Sequence, residues 1–280
     1  MMKIFIVGAG VMASGIAQVF ATGGHEVLIT DVNKDILEKA KNGFVKNLSK
    51  LVEKVKITEE RKNEILSKLN ATPDLSDAKD ADLVIEAVSE KMAVKKELFG
   101  KLDEICDEKT IFATNTSSLS ITEIALSTKR PEKVIGMHFF NPAPVMKLIE
   151  IISGYTTSQE VHNTILELSK SLGKEPVSCQ EAPGFVVNRI LIPMVNEAIG
   201  ILADGVASTE DIDNAMKFGA NHPIGPLALG DLIGLDVVLA IMDVLASEFG
   251  DSKYRAHTLL KKMVRAGKLG RKTGEGFYKY

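Results

Sequence analysis

Apolar and polar positions fall into two regimes along this chain. From Lys3 to Cys179, short β-branched and aromatic runs alternate with stretches at helical spacing; beyond Glu181-Ala182-Pro183-Gly184 the helical period continues almost unbroken. In the first regime the pattern predicts strands at Lys3 to Val7, Val27 to Thr30, Asp82 to Val88, Thr110 to Thr114, Val134 to Phe140, Met146 to Ile152 and Glu175 to Cys179. Helices are predicted at Met12 to Thr22, Val94 to Ile105, Ile121 to Ser127 and Ser158 to Leu172. Asp35 to Leu69 is lysine-rich, helical in pattern and longer than a simple crossover needs, so it predicts a helical hairpin projecting from the sheet. The second regime predicts helices at Phe185 to Asp204, Ser208 to Phe218, Pro226 to Phe249 and Tyr254 to Ala266. The expected fold is therefore α/β, a Rossmann-type dinucleotide-binding domain over residues 1–183 followed by an all-helical domain over 184–280.

The first thirty residues carry the most specific signal. A strand ends at Gly8-Ala9-Gly10, a helix follows, and the second strand ends on Asp31. Gly8 permits the tight turn, Gly10 lets backbone approach a pyrophosphate, and Ala13 is small enough for close helix packing. The free N–H groups at the helix start, around Val11 and Met12, would face a diphosphate. Asp31, eighteen residues after Ala13, suits a ribose with free hydroxyls and repels a 2′-phosphate, which favours NAD over NADP. Lys34 could soften that preference.

Composition narrows the class. The chain has 280 residues, 45% apolar and 25% charged, room for two domains of ordinary size. A formal charge of −3 gives no global reason to bind nucleic acid. No run approaches the ~18 apolar residues of a membrane span, and the N-terminus enters strand one directly, with no targeting peptide expected. Cys106 and Cys179 lie far apart with no partner motif, which points to reduced thiols in a cytoplasmic protein. No His/Cys cluster has metal-ligand spacing, so no metal is expected.

Three polar elements stand at predicted strand ends: Asn115-Thr116-Ser117-Ser118, His138 within Met137-His138-Phe139-Phe140, and Glu150 within Lys147-Leu148-Ile149-Glu150. A histidine among apolar residues can be a satisfied core residue. Glu150, twelve positions on along the next strand, could instead reach one imidazole nitrogen and fix its tautomer for proton transfer. Asn188, on the otherwise apolar first helix of domain two, reads either as a bridging amide or as a donor to a substrate oxygen. The hairpin lysines, Lys46, Lys50, Lys54 and Lys56, interleave with glutamates and by themselves describe a solvated face.

The segments GAGVMASGIAQ, ATNTSSLSITEIA, HFFNPAPVMKLIEII, APGFVVNRILIPMVNEA and GRKTGEGFYKY together resemble the 3-hydroxyacyl-CoA dehydrogenase family, above all its short bacterial members acting on 3-hydroxybutyryl-CoA. The likeness runs the whole length with both domains in order. It implies an NAD-dependent enzyme interconverting (S)-3-hydroxybutyryl-CoA and acetoacetyl-CoA, active in fatty acid and butanoate metabolism. It implies that His138 is the general acid/base, oriented by Glu150, and that Ser117 and Asn188 bind the substrate oxygen. Glu90, Lys95, Asn115, Asn141 and Lys272 match cofactor-lining positions, beside Gly8, Gly10, Val11, Met12 and Asp31. Lys54 matches a lysine that holds CoA, which turns the hairpin into a ligand-binding arm; Asn47 stands where some relatives have a serine contact. A homodimer formed through the helical domain is implied too. Two other readings are a non-catalytic NAD-binding redox sensor and a same-fold dehydrogenase of a free hydroxy acid. The joint presence of Ser117, His138, Glu150 and Asn188 weighs against the first, and Lys54 against the second.

Overall fold

Eight strands form one sheet in the order β3-β2-β1-β4-β5-β6-β7-β8 in the computed structural model, which describes residues 1–280. In chain order these are β1 (Lys3–Val7), β2 (Glu26–Thr30), β3 (Leu69–Thr72), β4 (Leu83–Glu86), β5 (Ile111–Thr114), β6 (Val134–Phe139), β7 (Leu148–Ser153) and β8 (Glu175–Gln180). β1 to β6 run parallel; β7 pairs antiparallel with β6, and β8 lies parallel to β7. The central strands are apolar along nearly their whole length because helices cover both faces: every residue of β4 and β6 is buried.

The helices of this unit are α1 (Val11–Thr22), α2 (Lys34–Glu53), α3 (Glu59–Ser67), α4 (Met92–Ile105), α5 (Ile121–Ala125) and α6 (Gln159–Ser171). Side-chain caps set several starts. Asn33 accepts from the amides of Asp35 and Ile36, Thr58 from Arg61, Ser120 from Glu123 and Ser158 from Val161. The lysine-rich segment is a helix pair, α2 and α3, rooted in the main core by Leu37, Ala40, Phe44, Leu48 and Ile65. Helical pattern was expected to run to Leu69, but Leu69–Thr72 instead adds β3 to the free edge of β2. Four residues are too few for period-two alternation to declare itself, and the backbone pairing offered by β2 decides the state.

The chain divides into two compact units, Met1–Glu181 and Ala182–Tyr280. The second is helical, with α7 (Val187–Ala203), α8 (Thr209–Gly219), α9 (Pro226–Ile233), α10 (Leu235–Phe249) and α11 (Thr258–Arg265) around its own core, including Ile192, Val195, Leu227, Val238 and Leu245. The single helix expected from Pro226 to Phe249 is broken at Gly234, whose φ of +102° lies outside what a right-handed helix allows. The last helix starts at Thr258 rather than Tyr254 because Ser252–Tyr254 closes a short turn of 3₁₀ helix first.

Strand order reverses between β1 and β4, so the crevice of this open sheet lies at their carboxyl ends. Register places Val7 beside both Thr30 and Glu86, and Glu86 beside Thr114, so the loops after β1, β2, β4 and β5 emerge along one edge.

Candidate active site

The glycine turn leaves β1 at that edge. Gly8 has φ +105°, and a Cβ there would lie 2.7 Å from the Ala87 carbonyl oxygen, so only glycine fits. Gly10 begins α1 with no side-chain cap, and nothing lies within 4 Å of where its Cβ would be. The first amides of α1 are thus left without a capping side chain, in a loop that backbone-binding anions can approach. Behind them Ala13 is fully buried against the core. Asp31 accepts from the Ala9 amide at 2.9 Å through Oδ2 and from the Asn33 amide at 2.9 Å through Oδ1. The acid that ends β2 therefore also holds the glycine turn. These features fit a dinucleotide: a Cβ-free approach, uncapped helix amides and a carboxylate beyond the second strand.

Next along the edge is a charge network that runs from buried Glu86 and Lys95 out to exposed Glu90. Glu86, at the end of β4, is fully buried; its Oε1 lies 2.6 Å from Lys95 Nζ and accepts the Val88 amide, and its Oε2 accepts the Thr114 hydroxyl. Lys95 reaches Glu90 as well, at 3.2 Å. Glu90 Oε1 in turn accepts from Thr116 Oγ1 at 2.5 Å, from the Ser117 amide at 2.7 Å and from Ser117 Oγ at 3.2 Å. Burial pushes the Glu90 carboxyl up, but the Lys95 charge and the hydrogen bonds from Thr116 and Ser117 outweigh it and hold the group below its ordinary value. The structure thereby joins Glu90, Lys95 and Ser117. Thr116 lies in the polar Asn115-Thr116-Ser117-Ser118 element read from the sequence, but Glu86 and the Thr114 hydroxyl went unmarked: an acid at the end of an apolar run signals little until its lysine, nine positions on along a helix, folds back over it.

Adjacent strands bring His138 and Glu150 into register across the β6–β7 pair. Antiparallel partners directly opposite share a face, and His138 Nδ1 lies 2.8 Å from Glu150 Oε2. His138 is 7% exposed and Glu150 1%, so the carboxylate is withdrawn from water while the imidazole keeps an opening. The Phe140 ring packs on the imidazole with centroids 4.5 Å apart. Asn115 uses its Oδ1 to accept the Phe139 amide at 2.8 Å, fastening the end of β5 to the strand that bears the histidine.

A cavity of about 680 Å³ runs along the α1 side of this edge. Ala9, Gly10 and Val11 line it, with Lys39, Asn47, Lys50 and Lys54 of the helix pair and Asn141 to Val145 of the loop after β6. The hairpin lysines and the glycine turn thus share one groove, with Asn47 and Asn141 among its walls. Asn188 and Lys272 belong to the other unit: Asn188 is buried in the first turn of α7, and Lys272 ion-pairs with Asp236 of α10. Both cysteines are free thiols; burial pushes Cys106 up to about 11, and burial with the Glu150 charge pushes Cys179 up to about 11, so neither is a nucleophile near neutrality.

The sequence model of the NAD-binding domain of 3-hydroxyacyl-CoA dehydrogenase matches residues 3–182, and that of the family's C-terminal domain matches residues 184–280. The chain belongs to the 3-hydroxyacyl-CoA dehydrogenase family. As a member it is an oxidoreductase that binds NAD, built as a Rossmann domain followed by a helical domain. A 3-hydroxybutyryl-CoA dehydrogenase of Clostridioides difficile is 63% identical over 279 residues, covering 100% of this chain and 99% of the relative. Human mitochondrial hydroxyacyl-coenzyme A dehydrogenase is 45% identical, with 99% of this chain and 90% of the relative covered. The crystal structure of (S)-3-hydroxybutyryl-CoA dehydrogenase from Ralstonia eutropha superposes with a TM-score of 0.97 at 48% identity, covering 100% of this chain and 99% of that one. No helix of this family member is long and apolar enough to cross a membrane.

Proposed function

We propose that this chain interconverts (S)-3-hydroxybutyryl-CoA and acetoacetyl-CoA, with His138 as general acid/base, Glu150 as its orienting carboxylate, and Ser117 and Asn188 as partners of the substrate oxygen. The observation that carries the mechanism is the His138–Glu150 pair, 2.8 Å apart at a sheet edge shared with the glycine turn and Ser117. Glu150 accepts a hydrogen bond from Nδ1–H, which makes Nε2 the nitrogen that exchanges a proton with an alcohol. In oxidation, Nε2 removes the 3-hydroxyl proton as the carbon–hydrogen bond breaks; in reduction the imidazolium returns it to the forming alkoxide. NAD, when bound, supplies the hydride acceptor. Glu150 stabilises the imidazolium in either direction, much as a buried carboxylate does for other catalytic histidines. The Ser117 amide is held by Glu90 at 2.7 Å, and its hydroxyl, which donates to Glu90 at 3.2 Å, turns on substrate binding to donate instead to the 3-oxygen, where charge changes during transfer.

The groove bearing Lys39, Lys50 and Lys54 suits a ligand with a diphosphate and a further phosphate, and we assign the CoA moiety to it. Asp31, Glu90, Lys95, Asn115, Asn141 and Lys272 are assigned to the cofactor with Gly8, Gly10, Val11 and Met12. In this reading residues 1–183 are the NAD-binding domain, and 184–280 the substrate and dimerisation domain. Exposed Ile190, Phe218 and Leu232 give the helical unit apolar surface for a second copy. Two free thiols suit a reducing cytoplasm. The test is NADH oxidation with acetoacetyl-CoA, and free acetoacetate as the control: turnover of the thioester alone supports the assignment, and equal turnover of the free acid overturns it.

A further inference from the structure

We propose that Lys174 is a positioning residue for this groove, its ammonium holding in place the loop that follows β6. Lys174 stands between α6 and β8, is 9% exposed, and donates through Nζ to the carbonyls of Ala143 at 2.6 Å and Met146 at 2.7 Å. Its hydrogen-bond partners are carbonyl dipoles, so the charge is stabilised only by the loop it holds, and burial lowers its affinity for a proton.

The loop needs an outside tie. Pro142 and Pro144 supply no amide, and the turn closes on itself only through the Val145 and Met146 amides to the Pro142 carbonyl. Yet it meets three requirements at once. It begins two residues after His138; Asn141 to Val145 wall the groove; and Ala143 and Pro144 lie so close to α1 that a Cβ on Gly15 would come within 3.2 and 3.3 Å of them. Lys174 ties the middle and the end of this turn, at the Ala143 and Met146 carbonyls. That the groove takes cofactor and thioester rests on the proposed function; the clamp itself does not.

The experiment compares wild type with Lys174→Met, which keeps the apolar stem, and Lys174→Ala, which leaves room for an added alkylammonium ion. Hydrogen exchange at the Val145 and Met146 amides is expected to quicken by about tenfold or more in both variants while β1 exchanges as in wild type. KM for acetoacetyl-CoA and the dissociation constant for NADH are expected to rise about tenfold with kcat within about twofold. n-Propylammonium is expected to restore both in Lys174→Ala and not in Lys174→Met. Unchanged loop exchange overturns the proposal, as does faster exchange throughout the unit with kcat falling and both binding constants unchanged. If wild type itself fails to turn over the thioester, the proposed substrate falls, and loop exchange with NADH titration still decides the role of Lys174. Should Lys174→Met fold poorly, Lys174→Gln, which keeps a neutral donor, must give loop exchange between wild type and Lys174→Ala.

Discussion

Asp31 Oδ2 accepts the Ala9 amide at 2.9 Å, tying the end of β2 to the turn that leaves β1. The carboxylate therefore has two consequences, one for cofactor choice and one for the shape of the loop. Asp31→Ala is expected to raise the NADH dissociation constant by about tenfold or more, since a part-buried amide loses its acceptor at about 1–3 kcal/mol. Discrimination against NADPH should shrink as well. Parallel fluorescence titrations with the two nucleotides measure both, and an unchanged ratio would mean that the ribose is read elsewhere.

Replacing the imidazole separates chemistry from binding. His138→Gln is expected to lower kcat by about 10²–10⁴, the range for loss of a general acid/base, while the NADH titration stays close to wild type. Glu150→Gln should lower kcat by less, because the imidazole persists without its charged partner. Intact turnover in His138→Gln would require another base.

Lys54 lines the groove from the C-terminal end of α2 and is exposed. Lys54→Ala is expected to raise KM for acetoacetyl-CoA several-fold at low salt with kcat held. The difference should narrow as salt brings the screening length to about 8 Å near physiological strength. A KM insensitive to both the substitution and the salt would remove the hairpin from the binding site.

Glu90 supplies a pH dependence whose sign is fixed. Its carboxyl titrates below the ordinary 4.5 in the folded chain, so its charge stabilises the fold above that value and the contribution vanishes as pH falls through the native value. Urea unfolding of wild type and Glu90→Gln should therefore differ near neutral pH and converge as the pH falls below the ordinary 4.5 through the native value. A gap that widens on acidification would contradict the network drawn here.

The parts of this molecule that could be read from sequence are those where short-range pattern and physical demand coincide. Gly8, Gly10, Ala13 and Asp31 are set by one βαβ unit, and the buried strands β1, β4 and β6 are apolar apart from Lys3, Glu86 and His138. His138 and Glu150 could be paired because adjacent antiparallel strands convert twelve residues of separation into direct opposition. What stayed hidden depends on long-range placement. β3 exists because β2 has an edge to fill, and Gly234 breaks a helix that its apolar period would continue. Glu86 and Lys174 look like ordinary surface charges until the fold buries them. The roles of Asn188 and Lys54 came from family resemblance, since spacing assigns no ligand to either.

The most direct measurement is absorbance of the reduced nicotinamide during reaction with acetoacetyl-CoA, run with NADH and with NADPH, and repeated with free acetoacetate. The account predicts rapid oxidation of NADH by the thioester alone and much slower use of NADPH. Bound NADH with no oxidation by the thioester would contradict the proposed activity.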